Sequence, residues 1–323
     1  MTWTTSIIFL VIFFIVELLY FRLADRFNII DKPNHRSSHT AVTIRGGGII
    51  FVIAALTWCV WQETTYLYFA TGLFLISLIS FLDDILTLNN KIRLTVHLLS
   101  VALLFFEWQL FDLPWYFLLI GLIFVIGTIN AYNFMDGING ITGGYSAIVL
   151  LSLWYINEQI VRFGSSPFII TILLSLLVFN FFNFRQKAKC FAGDVGSVSI
   201  AFIIVFLLGQ VILKTENLSY ILLLTVYGLD AVTTIVFRLI RKENIFEAHR
   251  SHFYQYLANK RKWPHLAVAG LYSLLQLLIS WLVISNVNSL TYSLTMFFST
   301  LFGFVLLRFL TEGRSQLLNN KMN

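Results

Sequence analysis

Residues 130–144 read NAYNFMDGINGITGG, a polar and glycine-rich stretch between two long apolar runs. Its side chains include the carboxylate of Asp136 and the carboxamides of Asn130, Asn133 and Asn139, which offer hydrogen bonds and hard oxygen ligands for a metal. Its four glycines let a backbone approach a ligand closely. Packing between apolar helices requires none of these features. We therefore interpret the stretch as the floor of an active site at a membrane face.

The composition of the whole chain indicates a polytopic membrane protein. Of the 323 residues, 58% are hydrophobic and only 12% are charged, whereas a soluble domain has roughly 25% charged residues. Eleven apolar runs approach the ~20 residues that a membrane-spanning helix needs. They lie at 3–22, 46–61, 66–82, 93–108, 114–131, 141–157, 167–184, 197–213, 218–239, 265–285 and 291–310. We predict an all-α fold of about eleven transmembrane helices in a single integral membrane domain, residues 1–323.

The distribution of basic residues predicts the orientation of these helices. If the N-terminus lies outside, the inner segments hold all of the 22 Lys and Arg residues except Arg162 and Lys214. Such an asymmetry follows the positive-inside rule and places the C-terminus in the cytoplasm. The net charge of +6 is then explained by membrane insertion, and nucleic acid is not expected as a partner.

A second polar cluster follows the third apolar run, in the sequence FLDDILTLNNKIR at residues 81–93. Asp83 and Asp84 come directly after the run, where a carboxylate costs roughly 2.5–3.5 kcal/mol on insertion scales. Lys91 and Arg93 follow in the same short loop. Acidic and then basic side chains at a membrane surface fit a site that holds and deprotonates a phosphate, or one that binds a metal. The alternative is a solvated loop without a catalytic role.

Two further aspartates have two possible roles each. Asp194 lies in the sequence GDVGS just before an apolar run, where it fits either a magnesium ligand or a helix N-cap. Asp230 lies within the ninth run, before Arg238. An acid inside a membrane segment is a functional candidate, and an ion pair between helices is the alternative.

The first inner loop, residues 31–48, is basic and ends in three glycines. A glycine-rich segment before a helix suits phosphate binding, with His35, Arg36, His39 and Arg45 as donors. The alternative, which we favour for this loop taken alone, is a topogenic loop whose glycines serve helix packing.

The last inner loop contains His249, Arg250 and His252, which suit contacts with a pyrophosphate and a sugar. A zinc site is the rival interpretation, but no cysteine or third histidine lies nearby to complete it. Cys59 and Cys190 are far apart in the sequence, so we expect no disulfide framework and no thiolate metal site.

Together these motifs resemble those of a known family, the polyprenyl-phosphate N-acetylhexosamine-1-phosphate transferases (glycosyl transferase family 4). Each motif alone is weak evidence for this family, but four motifs in the same order on the predicted inner face are specific for it. The matching features are the pair Asp83–Asp84, the pattern NxxNxxDGING at 130–140, GDxGS at 193–197 and HRSHFYQ at 249–255.

The resemblance implies roles for the residues around the metal and the lipid phosphate. Asn133 and Asp194 would be ligands of Mg²⁺, or of Mn²⁺ in its place. Asp83 and Asp84 would lie beside the metal, and one of them would help to deprotonate the lipid phosphate. The basic residues that hold this phosphate would be Lys91 and Arg93.

The resemblance also implies contacts with the sugar nucleotide. Asn139 would contact the uracil, and Asn130 and Asp136 would belong to the substrate site, with Asp136 near the metal, the sugar or only the loop backbone. His249, Arg250 and His252 would contact the pyrophosphate and the amino sugar. The sequence His-Arg-Ser-His resembles that of O-antigen-initiating members, which act on deoxy-amino sugars. It is less similar to the run of three histidines typical of the muramoyl-pentapeptide enzymes.

We therefore expect a Mg²⁺-dependent enzyme of the bacterial inner membrane. It would transfer a phospho-N-acetylhexosamine from a UDP-sugar to polyprenyl (undecaprenyl) phosphate, releasing UMP and initiating a cell-surface polysaccharide such as the O-antigen of lipopolysaccharide. Its partners would be these substrates, membrane lipids and, as an open alternative, a second copy of the chain. The competing hypothesis is a polytopic transporter or lipid-linked sugar flippase, which would place ionisable groups at the bilayer midplane.

Overall fold

The computed structural model describes residues 1–31, 42–62, 66–86, 88–245, 247 and 249–319. A two-stranded hairpin and a series of helices make up this part of the chain. In chain order they are α1 (Trp3–Arg26), β1 (Ile30–Asp31), β2 (Thr43–Ile44), α2 (Ile49–Trp61), α3 (Leu67–Leu86), α4 (Asn90–Glu107), α5 (Trp115–Met135), α6 (Ile141–Gln159), α7 (Ser166–Asn183), α8 (Gly193–Thr215), α9 (Thr225–Ile240), α10 (Phe253–Gln255), α11 (His265–Ser285), α12 (Leu290–Glu312) and α13 (Arg314–Leu318).

The all-α prediction is confirmed, because each of the predicted apolar runs falls on one of these helices or on the 3₁₀ turn Leu218–Leu224 that leads into α9. Within the described ranges, eight helical segments are long and apolar enough to cross a membrane. The helix α2 is apolar but has only 13 residues. The protein is therefore a polytopic membrane protein, while the count of eleven crossings and the orientation stay predictions.

The helix α8 forms the centre of the bundle. It packs against α2, α3, α5 and α6, and 83% of its most apolar window is buried. At the periphery, only 17% of the corresponding window of α5 and 11% of that of α12 are buried, as expected for helices solvated by lipid. Because α8 is enclosed, whatever lies at its N-terminus is held by several helices at once.

A short strap, which we define as Arg45–Gly48, crosses the N-terminus of α8. The amides of Gly47 and Gly48 donate to the carbonyls of Phe191 and Ala192 at 2.9 and 3.1 Å. A Cβ on Gly48 would lie 2.2 Å from the Cα of Gly196, so only glycine permits this approach. The contacts agree with the packing explanation of these glycines rather than with phosphate binding by their amides. His35, Arg36 and His39 lie outside the described residues.

Candidate active site

The first turn of α8 is capped by a side chain from another helix. The residue before α8, Ala192, has no side chain that can cap it, and the free amides of a helix start need acceptors. Asp84, at the end of α3, accepts from the amides of Asp194 and Val195, both at 3.0 Å. Asp194 is thus the second residue of α8 rather than its N-cap, and the N-cap interpretation of Asp194 is wrong.

Three carboxylates and two guanidinium groups form a chain of ion pairs that we call the acid–arginine cluster: Asp83, Asp84, Asp194, Arg45 and Arg93. The Nε of Arg45 lies 2.7 Å from Asp84, and its Nη2 lies 3.6 Å from Asp194. The Nη1 of Arg93 lies 2.6 Å from Asp83, and its Nη2 lies 3.7 Å from Asp194. With all five groups ionised, the cluster carries one excess negative charge, which favours a cation.

The carboxylate of Asp194 is the most accessible of the three. Its side chain is 21% exposed, against 8% for Asp83 and 0% for Asp84. Both arginines approach it only at 3.6 to 3.7 Å, beyond the 2.7–3.2 Å range of a good N–H···O hydrogen bond. Asp194 can therefore accept a new ligand at lower cost than its neighbours.

Asn133 completes the surroundings of Asp194. Its Nδ2 donates to the Oδ1 of Asp194 at 3.1 Å and to the Oγ of Ser197 at 3.2 Å. The hydroxyl of Ser197 in turn donates to the carbonyl of Gly193 at 3.0 Å. The structure thus brings together the two residues predicted to bind the metal, although they are 61 positions apart in the chain.

The pair Asn133–Asp194 suits a hard cation that shares its coordination with substrate. Magnesium is commonly held by one or two carboxylates, with phosphates and water in the remaining positions. Throughout the described ranges, no group of three or more His, Cys, Asp and Glu side chains could hold a metal by itself. Cys59 and Cys190 are buried and free. The donor set consists of oxygen ligands and therefore fits magnesium better than a thiolate-bound metal.

The stretch between α5 and α6 lines the same end of the bundle. Asn130 is exposed on the last turns of α5, and Asp136 follows the helix, half-buried. Burial raises the pKa of Asp136 to about 7, and the nearby carboxylates of Asp194 and Asp84 add to this shift. Asp136 is therefore poised between its two protonation states near neutral pH.

Asn139 holds the backbone of a neighbouring segment of the site in place. It is buried, and its Nδ2 donates to the carbonyls of Arg185 and Gln186, both at 3.0 Å. Its Oδ1 is also buried and has no hydrogen-bond partner within the described part of the chain. The amide of Asn139 thus holds the segment after α7, and its contact with uracil stays a prediction.

The histidine loop, which we define as His249–His252, is anchored by Asp230. This fully buried carboxylate accepts from the amides of Phe253 and Tyr254 at 2.8 and 3.1 Å and from the hydroxyl of Tyr272 at 2.7 Å. The Nδ1 of His252 lies 3.3 Å away. Asp230 therefore caps the start of α10, and its single ion-pair partner in the described ranges is His252.

Buried Arg308 on α12 supports the same loop. Its Nη2 donates to the carbonyl of Ser251 at 3.0 Å, and its Nη1 donates to Thr233 and Thr234 at 3.0 and 2.9 Å. Its Nε pairs with Glu312 at 2.5 Å. The otherwise lipid-facing helix α12 thus helps to hold the histidine loop.

The histidine loop packs against the end of α5, next to Asn133. The rings of His249 and His252 lie 6.1 Å from the ring of Phe134, and the hydroxyl of Tyr254 donates to the carbonyl of Phe134 at 2.8 Å. Burial lowers the pKa of His249 to about 3, and nearby His252 adds to this effect. His249 is therefore neutral at physiological pH and offers hydrogen bonds rather than charge.

The remaining predicted residues lie at the edge of the site. Lys91, in the first turn of α4, and Arg250, in the histidine loop, are both exposed. Ser197 was not among the predicted site residues, and Arg45 was considered only as a phosphate donor of a loop for which helix packing was the favoured explanation. The signals for them were the position of Arg45 directly before three glycines and the place of Ser197 within GDVGS.

A family model matches the part of the chain that contains most of these residues. The model of the family described as glycosyl transferase family 4 matches residues 66–212. That region includes all of the acid–arginine cluster except Arg45, together with Asn133. The histidine loop lies beyond it.

Curated relatives cover more of the chain. A probable undecaprenyl-phosphate N-acetylglucosaminyl 1-phosphate transferase of Bacillus subtilis (strain 168) is 25% identical over 73% of this chain and 71% of its own length. The undecaprenyl-phosphate alpha-N-acetylglucosaminyl 1-phosphate transferase of Escherichia coli (strain K12) is 27% identical over 79% of this chain and 76% of its own length.

A third relative carries a different sugar in its name. The phospho-N-acetylmuramoyl-pentapeptide-transferase of Thermotoga neapolitana is 28% identical over 72% of this chain and 82% of its own length. The names of the matching relatives thus include different sugars. The chain is thus similar to these transferases over more than 70% of its length, and its residues 66–212 match glycosyl transferase family 4.

Proposed function

We propose that the protein transfers a phospho-N-acetylhexosamine from a UDP-sugar to undecaprenyl phosphate, yielding undecaprenyl-diphospho-sugar and UMP. The observation that carries this proposal is the acid–arginine cluster beside Asn133, at one end of a membrane bundle. A lipid acceptor must keep its tail among apolar helices while its phosphate meets a polar donor. The names of the relatives support the same lipid and the same class of transfer.

In the proposed reaction, a phosphate oxygen of the lipid attacks the phosphorus that carries the sugar. The bond from this phosphorus to the bridging oxygen breaks, and UMP leaves with that oxygen. Arg93 and Lys91, near the start of α4, would hold the lipid phosphate. Asp84 accepts hydrogen bonds from two backbone amides, pairs with Arg45 and is fully buried. We therefore assign proton removal to Asp83, whose side chain is 8% exposed against 0% for Asp84.

The proposed cofactor is Mg²⁺, with Mn²⁺ as a substitute, held by Asn133 and Asp194. When bound, it would offset the charge that develops on the phosphates. Fixed cations near a reacting phosphate stabilise a transition state for the same reason. Arg45 and Arg93 are such cations, because their backbones belong to the packed strap and to α4.

For the donor, we propose a UDP-N-acetylhexosamine whose amino sugar contacts the histidine loop. The sequence His249-Arg250-Ser251-His252 supports a deoxy-amino sugar, and hence a role in O-antigen synthesis in the bacterial inner membrane. Neutral His249 suits hydrogen bonds to hydroxyl or N-acetyl groups. A transporter is disfavoured, because the candidate polar residues gather at one end of the helices and the relatives are transferases.

The metal requirement gives the first prediction. Purified protein with undecaprenyl phosphate and a matching UDP-N-acetylhexosamine should release UMP in the presence of Mg²⁺. Excess EDTA should reduce the rate to background, and added Mg²⁺ should restore it, because phosphate charge would otherwise be left without its counter-ion. UMP can be measured by a coupled luminescence assay. UMP release that persists in EDTA would contradict the metal assignment, and omission of the lipid phosphate serves as the control.

A further inference from the structure

Arg45 has a backbone position that does not depend on its side chain. Its amide donates to the carbonyl of Ile29 at 3.1 Å, and its carbonyl accepts from the hydroxyl of Tyr20 at 2.6 Å. The next residue, Gly46, has a φ of +81°, which turns the chain towards α2. The main chain and Tyr20 thus hold the strap, and the guanidinium group is available for another purpose.

The two ends of this guanidinium are bound unequally. Its Nε lies 2.7 Å from buried Asp84, whereas its Nη2 lies 3.6 Å from Asp194. The side chain of Arg45 is 35% exposed. One edge is therefore anchored, and the other faces the accessible part of the site with donors to spare.

Arg93 repeats the arrangement on the opposite side of Asp194. It is anchored to Asp83 at 2.6 Å and approaches Asp194 at 3.7 Å. Asp194 thus lies between two anchored arginines, each of which presents a weakly held amino group. A reaction that joins two phosphate-bearing substrates needs a cationic group for each of them.

We propose that Arg45 binds the diphosphate of the sugar nucleotide, and that before the metal binds it acts as a counter-ion of Asp194. This inference rests on the proposed function for the identity of the donor. With a divalent cation held at Asp194, the Nη2 of Arg45 would be repelled from this carboxylate and would be free to donate to a diphosphate oxygen. The bond from Nε to Asp84 keeps the group in place throughout. Arg45 is thus a binding residue for the donor, and it competes with the metal for Asp194.

The test measures binding rather than turnover, on the full-length protein in detergent. Mn²⁺ alone is titrated and followed by electron paramagnetic resonance of the free ion. UDP is then titrated by calorimetry at saturating Mn²⁺. The variants are Arg45→Gln and Arg45→Met, which remove the charge, and Arg45→Lys, which keeps it. The matched control is Arg162→Gln, because Arg162 is exposed in the connection between α6 and α7.

We expect the two ligands to respond in opposite directions. Without the competing cation, Arg45→Gln should bind Mn²⁺ roughly threefold more tightly or better, the scale of a partly exposed ion pair. It should bind UDP about tenfold more weakly or worse, because a charge-assisted hydrogen bond is lost. Arg45→Lys should keep Mn²⁺ affinity near that of the wild type, and Arg162→Gln should leave both affinities unchanged.

The proposal is overturned if either of these two changes in affinity is not observed. Unchanged UDP affinity would remove Arg45 from the donor site, and unchanged or weaker Mn²⁺ binding would exclude competition for Asp194. If thermal unfolding shows that Arg45→Gln does not fold, the same two affinities of Arg45→Met decide the outcome. Because neither titration requires catalysis, a wild-type protein that releases no UMP would refute the proposed function and leave these outcomes interpretable.

Discussion

Replacing Asp194 with asparagine is expected to lower the rate of UMP release by about 10²–10³-fold, as removal of one group that stabilises transition-state charge commonly does. Asp194 is the most exposed carboxylate of the acid–arginine cluster, and it contacts Asn133. In our proposal it is the one charged ligand of the metal. Asparagine has the same size, and its Oδ1 can still accept from Asn133, so we expect the fold to persist. Initial rates over a range of Mg²⁺ concentrations provide the measurement.

The matched control is Asp112→Asn, since Asp112 is exposed in the connection between α4 and α5. It should keep wild-type activity. The required Mg²⁺ concentration should rise for Asp194→Asn, whereas a purely structural defect would reduce the amount of folded protein without altering the metal dependence. A near-normal rate for Asp194→Asn at low Mg²⁺ would remove Asp194 from the metal site.

Replacing Asp230 with alanine should release the histidine loop from the bundle. The change leaves the amides of Phe253 and Tyr254 and the hydroxyl of Tyr272 without their acceptor, in a fully buried place. Loss of one partner from a buried charged network costs about 3–5 kcal/mol. We expect this cost to appear mainly as local opening, together with a large loss of transferase activity, because the loop contributes the residues proposed to contact the sugar.

Hydrogen exchange provides the measurement for Asp230. Peptides that cover residues 249–260 should lose protection in Asp230→Ala, while peptides from the enclosed helix α8 should keep theirs. Exposed Asp25, at the end of α1, supplies the control variant Asp25→Ala. Unchanged protection of residues 249–260 would show that the carboxylate does not anchor the loop.

Apolar run length was sufficient to predict the helices, because a membrane segment must satisfy its own backbone hydrogen bonds. The convergence of distant motifs was also predictable. Asp83 and Asn133 follow the third and fifth apolar runs, and Asp194 precedes the eighth. The basic residues predicted that all three of these ends lie on one face. The structure brings these motifs together at one end of the bundle, which local patterns could only suggest.

Local sequence patterns could not predict which of the acidic residues would cap a helix and which would remain accessible. Asp194 has a sequence context that suits an N-cap, yet the cap of α8 is Asp84, 110 residues earlier in the chain. Asp230 was equally ambiguous, because its partners Tyr254 and Tyr272 lie on later segments. In both cases the acceptor and its donors meet only through tertiary packing, for which the spacing of residues carries no signal.

The lipid product provides the most direct test of the proposed transfer. The purified protein would be placed in nanodiscs containing undecaprenyl phosphate, supplied with Mg²⁺ and a panel of UDP-N-acetylhexosamines, and its lipid extract analysed by mass spectrometry. We predict undecaprenyl-diphospho-N-acetylhexosamine, formed in an amount equal to the UMP released and absent in Asp194→Asn. UMP released without this lipid, or no product from any sugar of the panel, would contradict the proposed transfer.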